Sequence, residues 1–176
     1  MVSLSDNFFF VDSINSISSK DWNNCVGLDH PFTRYEFLHA LEKSNSVSIK
    51  TGWQPHHYIE KNKKNDIIAI CPLYIKNHSF GEYIFDHAWA DAYHRNGLNY
   101  YPKLQSAIPF TPVTGNRLLI SNKIKNRKMK KIGPTYPLLY ERSLNFQSNG
   151  PHAAPQLAKN HHFRSTRKFH IFSSFF

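Results

Sequence analysis

Ile67-Ile-Ala-Ile-Cys-Pro72-Leu-Tyr-Ile-Lys76 is the stretch that decides the fold. Ile67, Ile68, Ala69, Ile70, Leu73 and Ile75 put apolar groups on both faces of an extended chain, the pattern of a central strand covered on either side. Pro72 has no amide proton to give a ladder, so a bulge or a break is expected there. The polar run Lys61-Asn-Lys-Lys-Asn-Asp66 just before it reads as a turn, and His57 to Glu60 as the partner strand of a hairpin.

Upstream, Phe8-Phe-Phe-Val11 reads as a short strand. Ser18 to Val26 reads as a helix, with Ser18 and Asp21 at its start and Trp22, Cys25 and Val26 on one face. Thr33-Arg-Tyr-Glu36 fits a capping box, and Phe32 and Phe37 hold the two positions of a hydrophobic staple. A helix is therefore predicted over Arg34 to Lys43, packed on the central strand. Downstream, Glu82 to Phe85 reads as a strand. Asp86 can cap a helix bearing Trp89, Ala92 and Tyr93, closed by Gly97. From Tyr101 to Phe110 the chain alternates, with Leu104, Ile108 and Phe110 on one side and Tyr101, Lys103 and Gln105 on the other. Thr111-Pro-Val-Thr-Gly115 is turn chemistry, and Arg117-Leu-Leu-Ile120 ends the patterned region. The expected class is α/β of the α+β kind: a mixed sheet centred on Ile67–Ile75 and flanked by helices.

The formal charge of +10 is unevenly spread. Residues 1–120 hold 11 Lys and Arg against 11 Asp and Glu, whereas residues 121–176 hold 11 basic residues against Glu141 alone. With Pro134, Pro137, Pro151 and Pro155 breaking every helix-length window, residues 121–176 read as a basic tail of low order behind a folded part over 1–120. Lys123 to Lys131 carries six basic residues in nine positions, the composition of a nucleic-acid or anionic-membrane patch, but without aromatic residues to stack on bases. Aromatic residues make up 15% of the chain, which argues for a packed core. The apolar runs are too short to cross a bilayer. There is no basic n-region, and two cysteines cannot make a disulfide framework; a cytoplasmic protein with reduced thiols is expected.

Three carboxylates, Glu82, Asp86 and Asp91, fall within ten positions, flanked by His78, His87 and His94. A carboxylate or histidine so placed can take the proton that an amine must lose when it attacks an acyl group. It can equally be a helix cap or surface charge. Tyr101, Lys103 and Gln105 share a strand face that could orient a polar substrate or form a solvated edge. Trp53, in a loop before a strand, could cover a ligand or close the core. No metal site is expected. The adjacent pairs His56-His57 and His161-His162 point to opposite sides of a strand, and the other histidines lack chelating spacing. Cys25 and Cys71 lie in apolar patterns that suit buried packing thiols.

The segments Asp29-His-Pro-Phe32, Tyr35-Glu-Phe-Leu38, Thr51-Gly-Trp-Gln-Pro55, Cys71-Pro-Leu-Tyr-Ile-Lys76 and His78-Ser-Phe-Gly-Glu-Tyr-Ile-Phe-Asp86 follow one another in order. After them come Trp89-Ala-Asp-Ala-Tyr93, Tyr100-Tyr-Pro-Lys-Leu-Gln105 and Pro109-Phe-Thr-Pro-Val-Thr-Gly115. Together, over about residues 31–119, they resemble the FemAB-like, GNAT-related bacterial proteins of peptidoglycan biosynthesis or recognition. The resemblance implies an acyl-CoA N-acyltransferase fold. It also implies transfer of an acyl or aminoacyl group, from acyl-CoA or an aminoacyl donor, to an amine on a small-molecule or cell-wall-precursor substrate. It carries over no catalytic residue.

After Leu119 the likeness stops, and family members pair two such domains in a longer chain. The GNAT phosphate loop, Arg/Gln-x-x-Gly-x-Gly/Ala, has no match. Gln147-Ser-Asn-Gly150-Pro-His152 comes nearest, with His152 where the small residue belongs. A truncation or change of reading frame near residue 120 would account for both the lost pattern and the charge shift. The expectation is thus an incomplete GNAT-like domain, ancestrally an N-acyltransferase of cell-wall metabolism and inactive as this chain. The alternative is a non-enzymatic binding module that uses the basic tail for nucleic acid or anionic membrane.

Overall fold

The structure is a computed structural model and describes residues 8–28, 30–82 and 86–121. The expected strand over Glu82–Phe85 lies largely outside them, and the expected basic tail does so apart from Ser121. The described residues form seven strands and three α-helices in the order β1 (Phe8–Val11), α1 (Ser19–Val26), α2 (Tyr35–Lys43), β2 (Gln54–Pro55), β3 (His57–Lys61), β4 (Ile67–Cys71), β5 (Tyr74–Lys76), α3 (His87–Arg95), β6 (Lys103–Gln105) and β7 (Leu119–Ile120). The α+β class is therefore as expected. Among the described residues no helix is long and apolar enough to cross a membrane.

The single mixed sheet is replaced by two antiparallel sheets, ordered β1-β3-β4-β7 and β2-β5-β6. The reason is Pro72. The strand read as Ile67–Ile75 leaves its ladder at Pro72–Leu73, so β4 belongs to the first sheet and β5 to the second. Register is kept through the break: Tyr58 faces Cys71 on one side, and Pro55 faces Tyr74 on the other. One two-stranded ribbon is thus shared between two sheets. At the junction, the amide of His56 donates to Leu73 O at 2.9 Å. The turn at its far end is as read, with Asn62 Oδ1 accepting from the amides of Lys64 and Asp66.

Ile59, Ile70 and Leu119 of the first sheet pack with Trp22, Cys25 and Val26 of α1, and with Leu38 of α2. Helix α1, rather than α2, makes the main contact with β4; α2 packs against α1 and brings Leu38 into the same core. A smaller cluster of Val47, Trp53, Tyr74 and Ala107 fills the second sheet, and the half-buried Leu41 touches both cores. The cap of α1 is the predicted one, with Ser18 Oγ accepting from the Asp21 amide at 3.1 Å. That of α2 is not. Thr33 sits in a 3₁₀ turn, where its hydroxyl donates to His30 O, and the first helical amide, that of Tyr35, donates instead to Asn23 Oδ1 of α1 at 3.0 Å. The Phe32–Phe37 pair does meet, edge to face at 5.2 Å. Helix α3 closes on Gly97, whose φ of 68° suits a residue without a Cβ.

Candidate functional site

Antiparallel pairing of β5 with β6 puts Lys76 opposite Lys103 and Tyr74 opposite Gln105. Alternation then places these four side chains on one face. Two lysines facing each other need carboxylates, and these arrive from the connection that follows β5. Glu82 Oε2 accepts from Lys103 Nζ at 2.7 Å, and Asp86 Oδ2 accepts from the same ammonium. Tyr101 OH donates to Asp86 Oδ1 at 2.7 Å. Lys76 Nζ donates to Phe80 O at 2.8 Å, lies 3.8 Å from Glu82 Oε1 and sits 3.7 Å above the Trp53 ring.

Asp86 heads α3 without capping it, because its carboxylate is turned to Lys103 and Tyr101. The Glu82 side chain is only 7% exposed, and its Oε1 has no hydrogen-bond partner.

The two carboxylates sit in environments that push them apart. Burial raises the Glu82 carboxyl above its ordinary value, against the opposing hydrogen bond and charge of Lys103. Burial pushes Asp86 up too, but its hydrogen bonds from Lys103 and Tyr101 outweigh this and hold it below its ordinary value. Burial lowers Lys76 to about 8. Tyr101 is pushed up to about 12 by burial and by Asp86, so it remains a phenol that donates. A basic carboxylate beside one that stays ionised is the arrangement that separates a proton acceptor from an electrostatic anchor.

Of the residues singled out in the sequence, Glu82, Asp86, Tyr101 and Lys103 meet directly. Trp53 joins them through Lys76. Gln105 lies buried on the same sheet face, its Oε1 without a partner. Asp91 is exposed on α3 and takes part in none of the ion pairs of the described residues. Lys76 is the member the sequence reading passed over. It ends a run that is apolar on both faces, two residues after Tyr74, and that spacing was the available sign of a buried lysine.

Cys25 and Cys71 are buried free thiols, both pushed up to about 12 by burial. Among the described residues no group of three or more His, Cys, Asp or Glu is placed to hold a metal.

A CoA pyrophosphate calls for free backbone amides at a helix N-terminus. The start of α1 is closed by Ser18 and that of α2 by Asn23, while α3 opens beside the carboxylate of Asp86. The described residues therefore do not fit that group. Gln147–His152 and Lys123–Lys131 lie outside them.

Residues 13–145 match the sequence model of the FemAB-like family, described as peptidoglycan biosynthesis/recognition. The match runs past both ends of the segment in which the resemblance was read, and it includes the whole Glu82–Asp86–Lys103 cluster. Neither a curated protein nor a solved structure matches the chain. On the family match, which spans most of its length, the chain belongs to the FemAB-like family of peptidoglycan biosynthesis and recognition.

Proposed function

We propose that the cluster built on Glu82, Asp86, Tyr101 and Lys103 receives the amine acceptor of an acyl or aminoacyl transfer to a cell-wall precursor. The observation that carries this reading is Glu82. One of its carboxylate oxygens is held by Lys103, and the other is buried without a hydrogen-bond partner, 3.8 Å from the Lys76 ammonium, on a group that burial makes more basic. An ammonium reaching Oε1 gains a charge-assisted bond and gives up its proton there when the amine attacks. The new bond is N–C; the bond broken is that from the acyl carbon to the donor's sulfur or oxygen, and the leaving group departs with a proton. Asp86 keeps Lys103 and Tyr101 in place throughout.

The donor is proposed to be an acyl-CoA or an aminoacyl ester that groups other than the described residues would hold. With acyl-CoA alone we expect weak binding and no turnover. Action in the cytoplasm belongs to the same proposal, in keeping with two free thiols.

Calorimetry with small primary amines tests the acceptor site, beside a CoA-release assay with acetyl-CoA. Glu82→Gln is expected to weaken amine binding by about tenfold or more, since a bond to a charged group is worth roughly 1.5–3 kcal/mol. Asp91→Asn is expected to leave it unchanged. Equal binding by wild type and Glu82→Gln would overturn the reading. Turnover abolished by Glu82→Gln would show that the chain also supplies the donor side.

A further inference from the structure

The cluster holds two cations, Lys76 and Lys103, and two carboxylates, Glu82 and Asp86, so its charges sum to zero. All four are withdrawn from water: their side chains are 0%, 11%, 7% and 6% exposed in that order. An acceptor ammonium at Glu82 Oε1 is a third cation beside two carboxylates, in a place where water screens little. It is buried there at tolerable cost only if a resident cation loses its charge.

The two lysines differ in how firmly their charge is held. Lys103 donates to both carboxylates, to Glu82 Oε2 at 2.7 Å and to Asp86 Oδ2. Lys76 Nζ stands 3.8 Å from Glu82 Oε1, beyond hydrogen-bond distance. Its hydrogen bond goes to Phe80 O at 2.8 Å, and a neutral amine makes that bond as well. The Trp53 ring, 3.7 Å below, favours the ammonium while the site is empty of other cations. Burial brings Lys76 down to about 8, which puts its proton within reach of neutral pH.

We infer that Lys76 gives up its proton when the acceptor ammonium docks on Glu82, and takes one back from Glu82 once the amine has attacked. This rests on the acceptor reading above and adds how that site handles charge. Docking releases one proton from Lys76 Nζ to solvent, so the cluster and its ammonium together stay neutral. On transfer the acceptor nitrogen loses two protons and its lone pair forms the N–C bond. The bond from the acyl carbon to sulfur or oxygen breaks, its electron pair going to the leaving group, which departs with one of these protons. The other passes from Glu82 to Lys76, and the four resident charges again sum to zero.

The charged groups that face Lys76 are Glu82, Asp86 and Lys103. Tyr100 and Tyr101 lie against the carboxylates, and His78, on the turn that carries Phe80, accepts from the Phe80 amide. Burial pushes both phenols up, Tyr101 to about 12, so neither titrates near neutral pH. All of these groups are shared by wild type and by variants at position 76, so a difference between them reports Lys76.

The test titrates n-propylamine into the full chain from pH 6 to pH 8.5, a range in which an alkyl ammonium stays charged. Lysine ¹³Cε resonances report the charge of Lys76 directly, and Lys76→Met identifies its signal. In wild type at pH 7, saturating amine is expected to move that signal from the ammonium to the neutral-amine position. Calorimetry in buffers of different ionisation enthalpy is expected to show about one proton released per amine bound. Affinity is expected to rise about tenfold per pH unit below pH 8 and then to level off. Lys76→Met, with no proton to lose, is expected to lack this slope and to bind at least about tenfold more tightly than wild type at pH 6. Lys76→Arg, which stays charged, is expected to bind at least about tenfold more weakly than wild type at pH 8.5.

A wild-type Lys76 signal that stays at the ammonium position under saturating amine overturns the inference without recourse to any variant. So does a Lys76→Met chain that keeps the wild-type slope. In either case the acceptor reading stands if Glu82→Gln still weakens binding. If Glu82→Gln binds n-propylamine as wild type does, the acceptor reading falls and this inference with it.

Discussion

His57 Nδ1 accepts a hydrogen bond from the backbone amide of Leu73 at 3.3 Å. Leu73 is the residue at which the chain passes between the two sheets, so its amide has no ladder partner there. Because Nδ1 accepts, the ring proton lies on Nε2, which donates to Glu42 Oε1 at 3.0 Å. Glu42 in turn accepts from Ser13 Oγ and the Ile14 amide. One buried imidazole therefore ties the sheet junction to α2 and to the segment that leads into α1. His57→Leu fills the space but leaves the Leu73 amide buried and unpaired and takes one of its donors from Glu42, whose Oε1 keeps the Ile14 amide. It is expected to destabilise the fold by about 1–3 kcal/mol in urea denaturation. A loss below about 0.5 kcal/mol would show that the junction does not depend on the ring.

Asn23 caps a helix to which it does not belong. Its Oδ1 accepts from the Tyr35 amide, and its Nδ2 donates to Glu36 at 2.9 Å. Asn23→Ala is expected to cost about 1 kcal/mol and to speed hydrogen exchange at the Tyr35 amide. Thr33→Val removes the hydroxyl once expected to cap this helix and should leave that exchange rate unchanged. Faster exchange at Tyr35 in Thr33→Val would restore the capping box.

The packing can be ranked by two leucines of α2. Leu38 is buried in the larger core, whereas Leu41 is half-buried between the two clusters. Leu38→Ala is expected to cost about 2–5 kcal/mol, as cavity-forming truncations do, and Leu41→Ala clearly less. Thermal or urea unfolding of the pair checks the order, and a reversed order would move the core toward the second sheet.

Lys76 gives a signed pH dependence. Burial lowers it from 10.5 to about 8, so between these values the folded chain binds fewer protons than the unfolded one. Its contribution to stability therefore rises with pH across that window. Cys25, Cys71 and Tyr101, pushed up to about 12 by burial, act in the opposite direction at alkaline pH. The informative quantity is accordingly the difference between wild type and Lys76→Met. That difference is expected to climb in favour of wild type by roughly 2–3 kcal/mol from pH 8 to pH 10.5, read from urea midpoints. A flat difference would mean that the amine is hydrated in the fold.

What proved legible in the sequence has short range. Ser18 as a cap, the turn over Asn62–Asp66, the strand at Phe8–Val11, Gly97 as a helix terminator and Pro72 as a ladder break all act through atoms within a few residues of one another. Each was read correctly because its physics is complete in that window. The carboxylates and the Tyr101–Lys103 strand face were legible too, as residue types with fitting spacing.

The tertiary structure alone decided which of these groups meet. The capping box at Thr33 lost to a side chain of another helix, since an amide is satisfied by whichever acceptor the packing brings nearer. The break at Pro72 was visible, but not that it would divide a ribbon between two sheets, because that depends on His57 and Glu42 taking up the stranded amide. Glu82, Asp86 and Asp91 looked alike along the chain. The pairing of β5 with β6 set two lysines opposite each other, drew Glu82 and Asp86 in to neutralise them and left Asp91 in water. Local sequence determines which backbone shapes are cheap, whereas burial of charge is settled by partners that are distant along the chain and close only in the fold.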